Sequence, residues 1–262
     1  MTPCNPEFRS KDKGKSAPNV FEEPIILATC SISEEKIYNF TRRIIFSPKV
    51  TENCTIRFCT VTGAYEAESQ GHKHPGDELV FTLDGGTLNF SGGMAFAQCQ
   101  NQAIAIPPNI EHKTIVTTTD QWQGLSFYCD DCPLMNRIKP ETNTNLVRKS
   151  VNNVTKLCSK YLENQSIFSP ALKESSFMEL YILSSSRDVS ASEFMHRGET
   201  VYYVISGNVS ISWKHKNKSL HPQMAAAIPA GFSHQLKPED ADGCRLIAAS
   251  CSSCSMLELN TY

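Results

Sequence analysis

The sequence predicts an all-β protein made of two tandem β-barrels, with a few short helices outside them. Three observations lead to this prediction. Short runs of β-branched and aromatic residues recur along the chain, turn-forming Gly, Pro and Asn lie between the runs, and an ungapped internal repeat spans much of the 262 residues. Many short strands joined by tight turns are typical of a small sandwich or barrel.

The composition is that of an ordinary globular protein. The formal net charge is -2 and apolar residues make up 40% of the chain, with no uninterrupted apolar run of about 18 residues. These values favour neither a nucleic-acid partner nor a membrane partner. The charged, proline-containing segment 1–20 predicts a disordered tail rather than an export signal, so we expect a cytoplasmic protein with reduced cysteines.

The repeat is visible when the chain is compared with itself at an offset of 122 residues. The letters IFSP at residues 45–48 recur at residues 167–170, and further matches extend the two copies over about residues 45–132 and 167–254. So many matches at one offset predict an internal duplication. We therefore divide the chain, after its tail, into an N-terminal domain, a linker and a C-terminal domain at residues 21–135, 136–165 and 166–262.

Each copy contains four clear strand patterns. They read TIRFCTV, ELVFTL, TLNF and AIAI in the first copy, and MELYIL, VYYVI, NVSISW and AAAI in the second. Turn signals such as DGG at residues 84–86 and SGN at residues 206–208 follow them. Helices are predicted over residues 31–43 and 150–164 from serine caps and, in the second, from an apolar face, which makes the linker helical.

The segment GHKHPGDELVFTLDG, residues 71–85, carries the chemistry. His72, His74 and Glu78 share parity, so on an extended segment they would face one barrel interior, although the Pro-Gly dipeptide between them interrupts that count. His112, in IPPNIEH, offers a fourth donor. Such groups are costly to bury without a cation. Three imidazole nitrogens and one carboxylate oxygen suit a divalent Fe, Mn, Zn, Ni or Co ion and leave octahedral positions open.

This segment resembles the first cupin motif, G(X)5HXH(X)3-4E(X)6G, with His72, His74, Glu78 and the closing Gly85 in place. IPPNIEH is similar to the core of the second motif, PXGXXH. Asn109 stands where the family has glycine, and asparagine tolerates the positive φ that such a turn needs. The resemblance covers both copies. It implies a bicupin, that is, two double-stranded β-helix jelly rolls, with one metal centre formed by the four donors in the first barrel.

The second copy is degenerate. The offset places Phe194 and Thr200 where the first copy has a histidine and the glutamate, while His196 and His234 are retained. Glu199 would reach the centre only if the strand register slipped. We therefore expect the retained pair to be structural, or to line a pocket, and not to hold an ion.

Two Cys-x-x-Cys elements occupy equivalent positions, Cys129 with Cys132 and Cys251 with Cys254. Three interpretations stay open. The four thiolates form a zinc site, one pair forms a redox disulfide, or the cysteines are small buried residues inherited through the duplication.

The resemblance leaves the reaction open. The first hypothesis is an Fe(II)-dependent dioxygenase, because the open positions would bind a chelating substrate and dioxygen together, as in the flavonol-type, thiol-type and oxalate-handling enzymes that it resembles. The second is a non-redox lyase, isomerase or decarboxylase, and the third is a module that only binds a small ligand. Each implies a small-molecule partner, and a homodimer is a reasonable assembly.

Overall fold

The structure is a computed structural model that describes residues 23–49, 54–129, 146–156, 162–169, 178–185, 192–196 and 198–251. Within these ranges the chain is nearly all β, with four antiparallel sheets and two short 3-10 turns. None of the helices described there is long and apolar enough to cross a membrane. The predicted tail at residues 1–20 lies outside the described residues.

The first ten strands lie between residues 25 and 128. They are β1 Ile25–Ala28, β2 Glu35–Ile37, β3 Phe40–Phe46, β4 Arg57–Gly63, β5 Glu78–Asp84, β6 Gly86–Ser91, β7 Met94–Cys99, β8 Gln102–Ile106, β9 His112–Val116 and β10 Trp122–Tyr128. The other ten are β11 Val147–Ser150, β12 Glu163–Phe168, β13 Met178–Ser184, β14 Ser192–Met195, β15 Thr200–Ser206, β16 Val209–Trp213, β17 Lys216–Leu220, β18 Met224–Ile228, β19 Ser233–Pro238 and β20 Arg245–Cys251.

Each half of the chain contains one large and one small sheet. In the first half the orders are β11-β8-β5-β10-β4-β3-β2 and β7-β6-β9. In the second half they are β1-β18-β15-β20-β13-β12 and β14-β19-β16-β17. All eight strand patterns predicted from the sequence are therefore strands, and the equivalent strands of the two copies take equivalent places in their sheets.

The two halves exchange their first strands. β1 pairs with β18 in the second half, and β11 pairs with β8 in the first half. The register places Ile25 opposite Ala227 and Val147 opposite Ala105, which is the same pairing at the offset of the repeat. The duplication thus reaches back to residue 25, and each large sheet is completed by a strand from the other half.

A shared apolar core lies between the halves. Phe58 stacks on Phe127 with ring centroids 4.8 Å apart, and Phe58 also contacts Tyr203 of the second half. At the edge of this core the buried carboxylate of Glu199 accepts hydrogen bonds from the backbone N–H groups of Thr55, at 2.6 Å, and Ile56, at 3.2 Å. Glu199 therefore joins the two halves, and the strand register has not slipped to bring it to the second-half centre.

The helix predicted over residues 31–43 is wrong. Most of this segment is the hairpin formed by β2 and β3. Glu35 and Arg42 form an ion pair across the hairpin. Phe40 and Phe46 are buried because β3 also pairs along β4. Packing against a sheet edge has outweighed the local helical pattern.

The helix predicted over residues 150–164, and with it the helical linker at 136–165, is not found in the part of this segment that the structure describes. Residues 136–145 and 157–161 lie outside that part. The remainder consists of β11, a 3-10 turn at Val151–Asn153 and the start of β12. The edge of β8 supplies hydrogen-bond partners for β11, so the segment is extended rather than helical.

Candidate metal centre

Two of the predicted ligands lie opposite each other on neighbouring extended segments. The N–H of His72 donates to the carbonyl of His112 at 3.0 Å, and the reverse bond measures 2.9 Å. Their rings lie on the same face, with centroids 4.3 Å apart. His112 is buried and His72 is half-buried at the mouth of the interior.

The other two predicted ligands flank a bend. The chain turns at Pro75 and Gly76, so the segment from His74 to Glu78 is not one continuous strand, and β5 begins only at Glu78. The carbonyl of His74 accepts a hydrogen bond of 2.7 Å from the N–H of Asn109, whose φ is 60°. Asparagine thus adopts the left-handed conformation expected in place of the glycine.

The tautomer of each imidazole is set by a backbone carbonyl. Each Nδ1 lies within hydrogen-bond distance of a carbonyl oxygen two residues away, so that Nδ1 carries the proton and Nε2 presents a lone pair. These pairs are His72 with Gln70 at 3.0 Å, His74 with Gly76 at 2.6 Å, and His112 with Ile110 at 2.9 Å.

Imidazole lone pairs and a carboxylate therefore converge on one point. Oε2 of Glu78 lies 3.2 Å from Nε2 of His74 and 3.3 Å from Nε2 of His112. The latter nitrogen is buried without a hydrogen-bond partner. Ser126 donates to Oε1 of Glu78 at 2.7 Å and so fixes the carboxylate plane. Two imidazole lone pairs facing an anion repel it unless a proton or a cation lies between them.

The donor set fits a divalent metal ion. Ligand atoms of His72, Glu78 and His112 all lie within 4.8 Å of one another. Burial raises the pKa of Glu78, but hydrogen bonds and positive charge from His112 and His74, once a proton occupies the Nε2 atoms that face the carboxylate, outweigh burial and hold the pKa well below its usual range. The carboxylate is consequently ionised, and nitrogen donors together with one anionic oxygen are what Mn, Fe, Co, Ni and Zn prefer.

The centre opens into a cavity of about 510 Å³. One wall is apolar and includes Phe40 and Trp122, whose rings meet edge to face with centroids 6.0 Å apart. The rest includes Tyr128 and three cationic side chains, Arg42, Arg57 and Lys73.

Sequence reasoning did not single out these cavity residues. Trp122, Ser126 and Tyr128 have the same parity along β10, and this common parity was the signal that they face the same cavity as the candidate metal ligands. Burial, followed by the nearby Glu78 carboxylate, raises the pKa of Tyr128 well above its usual value. This phenol therefore keeps its proton beside the centre.

The structure also places the remaining residues of interest. His196 and His234 lie together in the interior of the second half, with ring centroids 5.6 Å apart. Cys129 and Cys251, at equivalent places in the two halves, are both buried with their Sγ atoms 3.9 Å apart. Cys132 and Cys254 lie outside the described residues, so the three interpretations of the cysteines stay open.

Comparisons with known proteins identify the fold. No family model matches the chain, and no curated protein matches it. Among solved structures, protein Ylba from E. coli has a TM-score of 0.74 at 14% identity, over 92% of this chain and 96% of that one. The putative glyoxylate induced protein from Pseudomonas aeruginosa has a TM-score of 0.77 at 13% identity, over 93% and 95%. A mutant of Bacillus subtilis oxalate decarboxylase has a TM-score of 0.72 at 9% identity, over 96% of this chain and 82% of that one.

The structural neighbours are cupin-type proteins, and they match nearly the whole chain. At these identities the similarity concerns the fold. It agrees with the resemblance found in the two histidine-containing motifs.

Proposed function

We propose that the chain is a metal-dependent bicupin enzyme that acts on a small organic acid. Its two double-stranded β-helix barrels would occupy about residues 21–135 and 166–262. Two observations support tandem barrels: each half has one large and one small antiparallel sheet, and the exchanged strands β1 and β11 obey the offset of the repeat.

We assign the metal to His72, His74, Glu78 and His112. The observation that carries this assignment is the convergence of imidazole lone pairs on one buried carboxylate, with every Nδ1 held by a backbone carbonyl. Hydrogen bonds of this kind orient metal-binding imidazoles and raise their basicity. Mn(II) is the first ion to test, because the oxalate decarboxylase that shares the fold has Mn(II) centres. The preference for Fe(II) stays a prediction.

The cavity favours an anionic substrate. Arg42, Arg57 and Lys73 line the same space as the metal ligands, and Arg42 already pairs with the exposed carboxylate of Glu35. Guanidinium groups bind carboxylates through two parallel hydrogen bonds. A volume of about 510 Å³ has room for a small organic acid with part of its surface against the apolar wall.

Within this cavity the non-redox class of reaction fits the residues best. A bound divalent ion would supply Lewis-acid stabilisation of negative charge that develops on a substrate oxygen. Ser126 keeps Glu78 oriented, Phe40 and Trp122 give the substrate an apolar wall, and the protonated phenol of Tyr128 can donate a hydrogen bond to a substrate oxygen. A lyase, isomerase or decarboxylase uses these groups without dioxygen. The dioxygenase hypothesis has no such support here and stays a prediction.

A turnover assay with and without oxygen tests the proposal. Protein loaded with Mn(II) is incubated with a panel of small mono- and dicarboxylic acids, and the products are followed by NMR. Equal turnover in air and under strict anaerobiosis is the expected result. Turnover that stops without oxygen would favour the dioxygenase, and chemical-shift changes without turnover would favour a binding module.

The assignment of the centre to the first half is tested separately. His72→Ala should lose both the bound ion and turnover, whereas His196→Ala should retain the ion because its ring lies in the other half. Metal content is measured by elemental analysis after dialysis. Loss of the ion from the His196 variant alone would reverse the assignment.

A further inference from the structure

The interior of the second half is joined by a chain of hydrogen bonds centred on Tyr202. Its hydroxyl lies 2.7 Å from Nε2 of His196 and 3.0 Å from Nε2 of His234. All three residues are at most 2% exposed. Nδ1 of His234 lies 3.1 Å from the carbonyl of Phe232, so it carries the proton and leaves Nε2 as an acceptor. The hydroxyl therefore donates to His234 and accepts from the Nε2–H of His196.

This hydroxyl lies between the two histidines that the repeat relates to metal ligands. His196 corresponds to His74 and His234 to His112, while Tyr202 corresponds to Val80. Valine is too short to reach the centre of the first half. Tyrosine at the equivalent position brings a polar oxygen between the imidazoles, where it satisfies both of them.

The rest of the second-half interior has lost the features of an open metal site. Phe194 and Thr200 replace a histidine and the glutamate, and the ring of Phe194 stacks on His196 at a centroid distance of 6.2 Å. Leu236 and Ala248 stand where the first half has Thr114 and Ser126, and they are buried in one apolar cluster with Tyr202. Tyr202, Leu236 and Ala248 thus occupy the positions equivalent to Val80, Thr114 and Ser126, which line the cavity of the first half.

Burial also keeps the two imidazoles neutral. It lowers the pKa of His196 to about 3 and that of His234 to about 4. A neutral imidazole has one N–H donor and one acceptor nitrogen. A single hydroxyl group can therefore accept from the N–H of one ring and donate to the acceptor nitrogen of the other.

We propose that the Tyr202 hydroxyl takes the place of a metal ion in the second half, so that this centre is a closed, hydrogen-bonded core. It follows that Tyr202→Val, together with Phe194→His and Thr200→Glu, opens a second metal site on the retained histidines. The proposal does not depend on the proposed function, because it concerns ion binding alone.

Co(II) titration followed by visible absorbance tests the proposal. The chain first receives His72→Ala and His112→Ala, which remove the first centre. In this background we expect no tight binding of Co(II). After Phe194→His, Thr200→Glu and Tyr202→Val are added, we expect the chain to bind one Co(II) ion with an affinity at least 100-fold higher. The matched control adds the first two of these changes and keeps Tyr202, and it should show no gain. Equal affinity in the control would overturn the proposal.

Tyr202→Phe in the otherwise unchanged chain provides a second measurement that does not depend on the heavily substituted variant. It removes only the hydroxyl and leaves two buried ring nitrogens without their partner. We expect the melting temperature of the metal-free protein to fall by about 5 °C or more. An unchanged melting temperature would show that the hydroxyl does not hold this centre. Neither experiment uses turnover, so failure of the proposed function leaves both results interpretable.

Discussion

Replacing Glu78 by glutamine removes one negative charge from the candidate metal centre while keeping the size of the side chain. Ligand atoms of three residues lie within 4.8 Å of one another, so an ion among them would be about 2.8 Å or less from each. Even with the dielectric constant of water, a charge of +2 and a charge of −1 at this separation interact by about 3 kcal/mol. Glu78→Gln should therefore weaken Mn(II) binding roughly 100-fold or more.

Metal-free protein is titrated with Mn(II), and the free ion is measured by electron paramagnetic resonance. Ser126 can still donate to the remaining oxygen of the glutamine, so the fold should be retained, which a circular dichroism spectrum checks. Glu111→Gln is the matched control, because this exposed carboxylate adjoins His112 in the sequence and lies outside the ligand set. Affinity in Glu78→Gln within a few-fold of the unchanged protein would refute the assignment of Glu78 as a ligand.

Three further predictions concern stability. Glu199→Ala removes the acceptor of one buried and one part-buried N–H group between the halves, so it should lower the free energy of unfolding in urea by roughly 3 kcal/mol without loss of metal. A loss of metal would contradict the role of Glu199 as a link between the halves. Gly207 and Gly231 share a φ of 69°, but a Cβ would meet a backbone oxygen at 2.2 Å at the first and nothing within 4 Å at the second. Replacement by alanine should lower the free energy of unfolding by roughly 1 kcal/mol at Gly231 and by several kcal/mol more at Gly207. Equal losses at the two positions would rule out the close approach of the backbone oxygen to Gly207. Burial lowers the pKa of His196 to about 3 and that of His234 to about 4. The free energy of unfolding should therefore fall as the pH decreases from about 6.5 to about 4, by up to roughly 2.7 kcal/mol per pH unit. Urea unfolding at several pH values measures this slope, which should shrink when both histidines are changed to glutamine.

Local patterns in the sequence were sufficient for eight of the strands and for a set of candidate metal ligands. Short runs of β-branched and aromatic residues that end at turn signals, such as ELVFTL, predict their own conformation. The histidine and glutamate spacing around a bend brings donors together through a few neighbouring residues, and Asn109 adopts the expected left-handed turn. The repeat also predicted which strands of the two halves correspond, because residues at equivalent positions of a duplicated chain form equivalent strands in their sheets.

The sequence by itself thus determined an all-β duplicated chain with one set of candidate metal donors. Only the tertiary structure decided that residues 35–46 form a hairpin, that β1 and β11 exchange between halves, and that Glu199 joins the halves. Only the tertiary structure brought Tyr202 between His196 and His234. All of these features have the same physical reason, which is that the partner groups lie on other strands of a sheet or in the other half. The free energy gained by pairing a sheet edge or by satisfying a buried polar group therefore depends on which strands become neighbours.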